Sequence, residues 1–218
     1  EQGADVAIAD INNEGASEVV KEVESLDRKA LAVHMDMTDK VLIEKGVSDV
    51  INCFGHLDIL VNNAGIGRLP GHSEVNLNDD WEENWDAVLE INVQGVMRCT
   101  KAVLGHFLER NYGKIINTAS GAGRGPIRWG PTSGSDGMSS PYGPSKAAVI
   151  NYTQYLASSL ASHNINVNAI CPGRVWTAFQ KQLMSERKNK NSSASNKDHY
   201  TLFSENAKNL VPMGREQT

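Results

Sequence analysis

Two periodicities alternate along this chain, and that alternation limits its fold more than any other feature. Five short runs rich in β-branched residues stand at Asp5–Ala9, Ala30–Met35, Leu57–Val61, Lys114–Thr118 and Ile165–Cys171. Between them apolar residues recur at helical spacing: Ala16, Val19, Val20, Val23 and Leu26; then Ile43, Val47, Val50, Ile51 and Phe54, with Gly55 as a C-cap; then Trp85 to Phe107; then Val149, Tyr152, Leu156 and Leu160. Strand and helix alternating in this way predict βαβ units. Their right-handed crossovers give a parallel sheet with helices on both faces, an α/β fold. Sheets of this kind bind ligands at the carboxyl ends of their strands. The residues there are Asp10, Asp36, Asn62–Gly65, Ser120 and Pro172–Gly173.

The 218 residues, 40% hydrophobic and 22% charged, describe an ordinary globular domain, not a disordered chain or a coiled coil. No apolar run is long enough to predict a membrane span. Lys plus Arg is 21 against 26 Asp plus Glu, and a net charge of −5 disfavours nucleic acid as a partner. Cys53, Cys99 and Cys171 are too far apart for a metal cluster. They are expected to be reduced thiols of a cytoplasmic protein, in line with the absence of a visible secretory leader.

The sharpest local pattern is Tyr142-Gly-Pro-Ser-Lys146 at the head of a helix. Residues four apart share a helix face. A cation there lowers a tyrosine pKa from its ordinary value of about 10, which makes a general acid/base. Ser120 directly follows a strand, where a turn residue or a ligand contact belongs. Asn92 falls on the apolar stripe of the longest helix, where a buried amide needs partners. Asn62-Asn63-Ala64-Gly65 follows another strand, and its small residues let a ligand approach the backbone. Asp10 ends the first strand, where a carboxylate either accepts from a ribose diol or belongs to the cap of the next helix.

In this order, these residues resemble the short-chain dehydrogenase/reductase family of the classical type, from about Gly3 to Thr177. The resemblance implies one NAD(P)-binding domain over residues 1–218, Rossmann-like and doubly wound, with a variable substrate lid at about 177–210. It implies Asn92, Ser120, Tyr142 and Lys146 as the catalytic set. Tyr142 exchanges a proton with the substrate oxygen, Lys146 tunes it and holds the nicotinamide ribose, and Ser120 bonds the substrate oxygen. Asn92 keeps a helix kink and a proton path. The cofactor contacts implied are Asp10, Asp36, Asn63, Ala64, Gly65, Tyr142, Lys146, Pro172, Gly173 and Thr177, with no metal. Asp10 matches the acidic position that favours NAD, with NADP the alternative. Homo-dimers or homo-tetramers are implied through the helices bearing Asn92 and Tyr142.

The chain departs from the family in three places. The family's first strand and its glycine-rich loop are missing, since Gly121-Ala-Gly123-Arg-Gly125 follows the wrong strand. The last strand is missing as well, so the chain reads as an internal piece of a longer enzyme. Without the first strand the sheet is expected to divide between the second and third runs, leaving a fragment poorly stable and inactive. Between Ser120 and Tyr142 the 21 residues, with six glycines and three prolines, predict a long loop, and Arg128 and Trp129 in it are candidate pocket residues. The lid carries Phe179, Leu183, Met184, Tyr200, Leu202 and Phe203 around a polar stretch, Ser185–His199, of net charge +2. It resembles the lids of polyol, sugar or acetoin dehydrogenases, so a small-molecule alcohol or ketone is the expected substrate. Two alternatives stay open: a 3-oxoacyl-carrier-protein reductase, and a non-catalytic remnant acting only through oligomer contacts.

Overall fold

The computed structural model describes residues 2–69, 81–125, 140–178, 180–181, 183–185, 197–211 and 213–216. The elements follow the alternation: β1 (Val6–Asp10), α1 (Asn13–Glu24), β2 (Ala30–His34), α2 (Lys40–Phe54), β3 (Ile59–Asn62), α3 (Trp81–Leu89), a π-helical turn (Glu90–Gly95), α4 (Val96–Arg110), β4 (Gly113–Thr118), a 3-10 turn (Gly121–Arg124), α5 (Tyr142–Leu160), a second 3-10 turn (Ala161–His163), β5 (Ile165–Ile170) and α6 (His199–Leu210). Local chemistry sets several boundaries. Asn12 caps α1 by accepting from the Gly15 N–H, and Asp39 caps α2 by accepting from Val41 and Leu42. Gly55 ends α2 at φ +82°, where a side chain would be strained.

All strand pairs are parallel, and they form two sheets: β1-β2, and β3-β4-β5. The division falls between the second and third strands, where it is expected. Among the described residues no strand pairs with either β1 or β3 across the gap. Val6, Ile59 and Val61 are 36%, 47% and 53% exposed, values that belong to strand edges and not to a covered parallel sheet.

Helix α2 joins the two sheets. Its Val47 enters the main core with Val103 and Phe107 of α4, Ile115 of β4, Leu160 of α5, and Ile165 and Val167 of β5. On the other side Gly46 lies so close to Val33 and Met35 that any side chain would collide with them. Helix α4 also holds the turn into β3. Arg110 donates to the Leu57 carbonyl at 2.6 Å and to Asp58 at 2.8 Å, and the Leu57 N–H donates to His106 Nε2 at 3.1 Å.

The structure corrects two expectations. The long helix expected from Trp85 to Phe107 is not continuous, because Glu90–Gly95 inserts a π-helical turn. The loop expected from Gly121 onwards opens with a 3-10 turn, capped by the Ser120 hydroxyl. Arg128, Trp129 and Phe179 lie outside the described residues, as does most of Ser185–His199. No helix among the described residues is long and apolar enough to cross a membrane.

Candidate active site

The site forms where the π-turn, the first turn of α5 and the ends of β3 and β4 converge. Asn92, wholly buried, holds the chain after β3 at both polar groups of one residue: its Oδ1 accepts from the Ile66 N–H at 2.8 Å, and its Nδ2 donates to the Ile66 carbonyl at 2.8 Å. The same Nδ2 donates to Ser145 Oγ at 3.0 Å, and Ser145 Oγ donates to the Tyr142 carbonyl at 2.8 Å. One amide therefore ties Ile66, just after Asn63–Gly65, to the turn of α5 that carries Tyr142. A π-turn is where a helix frees backbone groups and redirects side chains, which is why such turns gather at functional sites.

Lys146 is 4% exposed, and its Nζ donates to the Thr118 carbonyl at 2.7 Å. Its Nζ lies 5.9 Å from the centre of the Tyr142 ring. Burial pushes the ammonium down to about 8, because the charged form loses water without gaining a carboxylate. A Cβ at Gly65 would stand 3.0 Å from Asn92 Oδ1 and 3.2 Å from Lys146 Nζ, so a side chain there would make both groups shift.

Ser120 reaches the site through its own turn. Its Oγ accepts from the Ala122 N–H at 3.2 Å. The turn packs so tightly on α5 that a Cβ at Gly123 would sit 2.6 Å from the Lys146 carbonyl carbon. Helix contact thus explains the glycine at position 123, while Gly125 sits at φ +137° with open space around it. The Pro172 carbonyl accepts from the Gly121 N–H at 2.9 Å, which ties the end of β5 to the same turn.

The remaining sequence-predicted residues line the carboxyl ends of the strands. Asp10 ends β1, and its Oδ1 accepts from the Asn12 N–H at 2.8 Å, so it supports the cap of α1 without being the cap. Asp36 follows β2. Its carboxyl lies below the usual range, chiefly because the Thr38 N–H and then the Thr38 hydroxyl donate to it. Asn63, Ala64 and Gly65 are exposed after β3, and Asn63 Oδ1 accepts from the Thr118 hydroxyl at 3.1 Å. Gly173 and Thr177 are exposed beyond β5, and Thr177 caps a short helical turn by accepting from the Gln180 N–H at 3.4 Å. Beyond β5, Trp176 packs on Tyr200 and Phe203 at ring separations of 5.4 and 5.1 Å.

Sequence reasoning missed a second layer. Asn62 Nδ2 donates to Asn117 Oδ1 at 2.9 Å, Asn117 Nδ2 donates to Thr153 Oγ1 at 2.9 Å, and Thr153 donates to the Val149 carbonyl at 2.7 Å. Each is at most 5% exposed, so this chain of amides fixes β3, β4 and α5 from within. Ser145 was missed too, although its place three residues after Tyr142 puts both on one helix face.

The model of the short chain dehydrogenase family matches residues 1–188. The chain belongs to the short-chain dehydrogenase family. Among its relatives in that family, a 3-oxoacyl-acyl-carrier-protein reductase of Thermotoga maritima is 36% identical over 183 residues, covering 84% of this chain and 69% of that protein. A sorbitol dehydrogenase of Cereibacter sphaeroides is 38% identical over 175 residues, covering 80% and 62%. The crystal structure of an NAD+-bound xylitol dehydrogenase superposes with a TM-score of 0.79 at 29% identity, covering 99% of this chain and 78% of that one. This short-chain dehydrogenase thus spans about two thirds of the length of these curated relatives.

Proposed function

We propose that the whole protein moves a hydride between NAD(H) and a secondary alcohol or ketone, with Tyr142 as general acid/base. The substrate class proposed is a polyol, sugar or small hydroxyketone. The observation that supports this reading is the linkage of Tyr142, through Ser145 and the buried Asn92, to Ile66 next to the exposed Asn63–Gly65 segment, with the buried Lys146 cation beside the ring.

The residues present fit a nicotinamide dinucleotide. An ammonium has three donors, and the Thr118 carbonyl takes one from Lys146, which leaves two for a ribose diol. Asp10 and Asp36 would take the adenosine end, Asn63, Ala64 and Gly65 its ribose side, and Pro172, Gly173 and Thr177 the carboxamide end. When bound, the nicotinamide supplies the hydride donor or acceptor. The protein's own part is proton transfer and positioning. Tyr142 holds the proton at its phenol oxygen, and the Lys146 charge stabilises the phenolate. Ser120, whose Oγ already accepts from Ala122, offers its hydroxyl proton to the substrate oxygen. Asn92 and Ser145 hold the tyrosine-bearing turn still. Asp10 supports NAD over NADP, since its charge would repel a 2′-phosphate. Cytoplasmic location and a homo-dimer or homo-tetramer complete the reading.

A second reading is favoured by the likeness to the Thermotoga maritima reductase: reduction of a 3-oxoacyl thioester with NADPH. Turnover of the full-length protein decides between them, with NAD+ and sorbitol, xylitol or 2,3-butanediol on one side and NADPH and an acetoacetyl thioester on the other. Tyr142→Phe is expected to lower kcat by about 10²–10⁴-fold while NADH still binds. Undiminished turnover by that variant would refute the assigned chemistry.

A further inference from the structure

The π-turn that carries Asn92 is braced by a residue outside the proposed catalytic set. Arg98 lies in the first turn of α4. Its Nη2 contacts Glu90 Oε1 at 2.6 Å and Gln94 Oε1 at 3.2 Å, and its Nη1 donates to the Met37 carbonyl at 3.1 Å. Glu90 opens the π-turn and Gln94 lies within it, while Met37 belongs to the loop after β2 that also bears Asp36. On a regular α-helix residues eight apart stand about 12 Å apart along the axis and diverge by about 80°. The wider π-turn removes much of that divergence, so Glu90, Gln94 and Arg98 come into one column. Gly95 completes the contact: a Cβ there would stand 2.9 Å from Met37 Cβ, and Cys99 Sγ lies 3.7 Å from Met37 Sδ.

We propose that Arg98 is a positioning residue for the acid/base site: it holds the π-turn in register, and with it Asn92, by clamping the turn to the Asp36–Asp39 loop. The guanidinium fork satisfies three acceptors at fixed angles, which a lysine ammonium on a flexible stem does not reproduce. The clamp makes the loop and the Asn92 turn one body. This inference rests on the proposed role of Asn92 and Tyr142.

The test compares full-length wild type with Arg98→Met, Arg98→Lys and the milder Glu90→Gln, using Lys45→Met as a control that removes an exposed ion pair. Without any cofactor, hydrogen exchange at the Ile66 N–H, which Asn92 holds, is expected to accelerate about tenfold in Arg98→Met. With NAD+ and the best substrate of the panel, kcat is expected to fall about tenfold, while the Kd for NADH, read by fluorescence, moves much less. Glu90→Gln is expected to show a smaller change of the same kind, and Arg98→Lys is expected not to restore wild-type values. Lys45→Met should change neither readout. If Arg98→Met or, should that variant fail to fold, Glu90→Gln lowers only Tm, with Ile66 exchange and kcat unchanged, the clamp is overturned. If Tyr142→Phe keeps full turnover, the functional reading fails instead, and the exchange result still judges the clamp.

Discussion

Asn92 and Ile66 exchange two hydrogen bonds, each 2.8 Å long, across 26 residues of sequence. A side-chain amide pairs with a backbone N–H and C=O as another strand would, so the segment after β3 is held without any strand beside it. The same amide reaches Ser145, which makes Asn92 the meeting point of the strand end and the tyrosine-bearing helix.

Asn92→Leu is therefore expected to destabilise the protein by about 2–4 kcal/mol, since it removes the partner of the part-buried Ile66 N–H and C=O and of the buried Ser145 hydroxyl. Equilibrium unfolding in denaturant measures this. Turnover should fall further than stability alone explains, and a variant with wild-type stability would contradict the burial argument.

Lys146 gives a pH signature of defined sign. Its folded pKa is depressed to about 8 from an ordinary 10.5. Below pH 8 both folded and unfolded chains hold the proton, and the desolvation penalty is present in full. Between about 8 and 10.5 the unfolded chain binds more protons, so this group makes stability rise with pH, by about 3 kcal/mol over the window. Buried Cys99 acts in the opposite direction, because burial pushes its thiol up to about 11. The difference between wild type and Lys146→Met cancels the cysteine. That difference, followed by denaturant unfolding from pH 7.5 to 10.5, should change in favour of wild type; a flat difference would contradict the buried cation.

Asp10 should set the choice of dinucleotide. Asp10→Ser removes the carboxylate at the end of β1, and with it the Oδ1 bond to the Asn12 N–H, which a serine hydroxyl is able to replace. The ratio of kcat/KM for NADP to that for NAD is expected to rise about tenfold, equal to about 1.4 kcal/mol of relieved repulsion. An unchanged ratio would remove Asp10 from the cofactor contacts.

Gly123 tests whether the Ser120 turn must touch α5. A Cβ would sit 2.6 Å from the Lys146 carbonyl carbon and 2.7 Å from the Ala147 nitrogen, both backbone atoms with little freedom to yield. Gly123→Ala is expected to cost about 1–3 kcal/mol by overpacking and to lower kcat by shifting the turn that carries Ser120 off α5. Thermal unfolding and turnover together check this.

The sequence by itself determined what depends on near neighbours. Alternating periods specified β1–β5 to within a residue or two and placed the helices between them, though with looser ends and with the π-turn unseen. The glycine at Gly55 stopped α2 where backbone chemistry requires it, and Asp39 caps its start. The helical repeat put Tyr142, Ser145 and Lys146 on one face, and strand ends collected Asp10, Asp36 and Asn63–Gly65 on one side of the sheets. Tertiary structure decided the rest, because those features join residues far apart in the chain. Asn92 finds Ser145 across 53 residues, and Asn62 finds Asn117 across 55. The π-turn was not legible in the periodicity, since its apolar stripe reads as an α-helix; the resemblance implied only a kink at Asn92, and the turn shows in the backbone and in the bonds to Ile66. Parallel pairing of strands is equally non-local: each run was visible as a strand, but which strand lies beside which is settled by the packing of α2, α4 and α5 across the sheets.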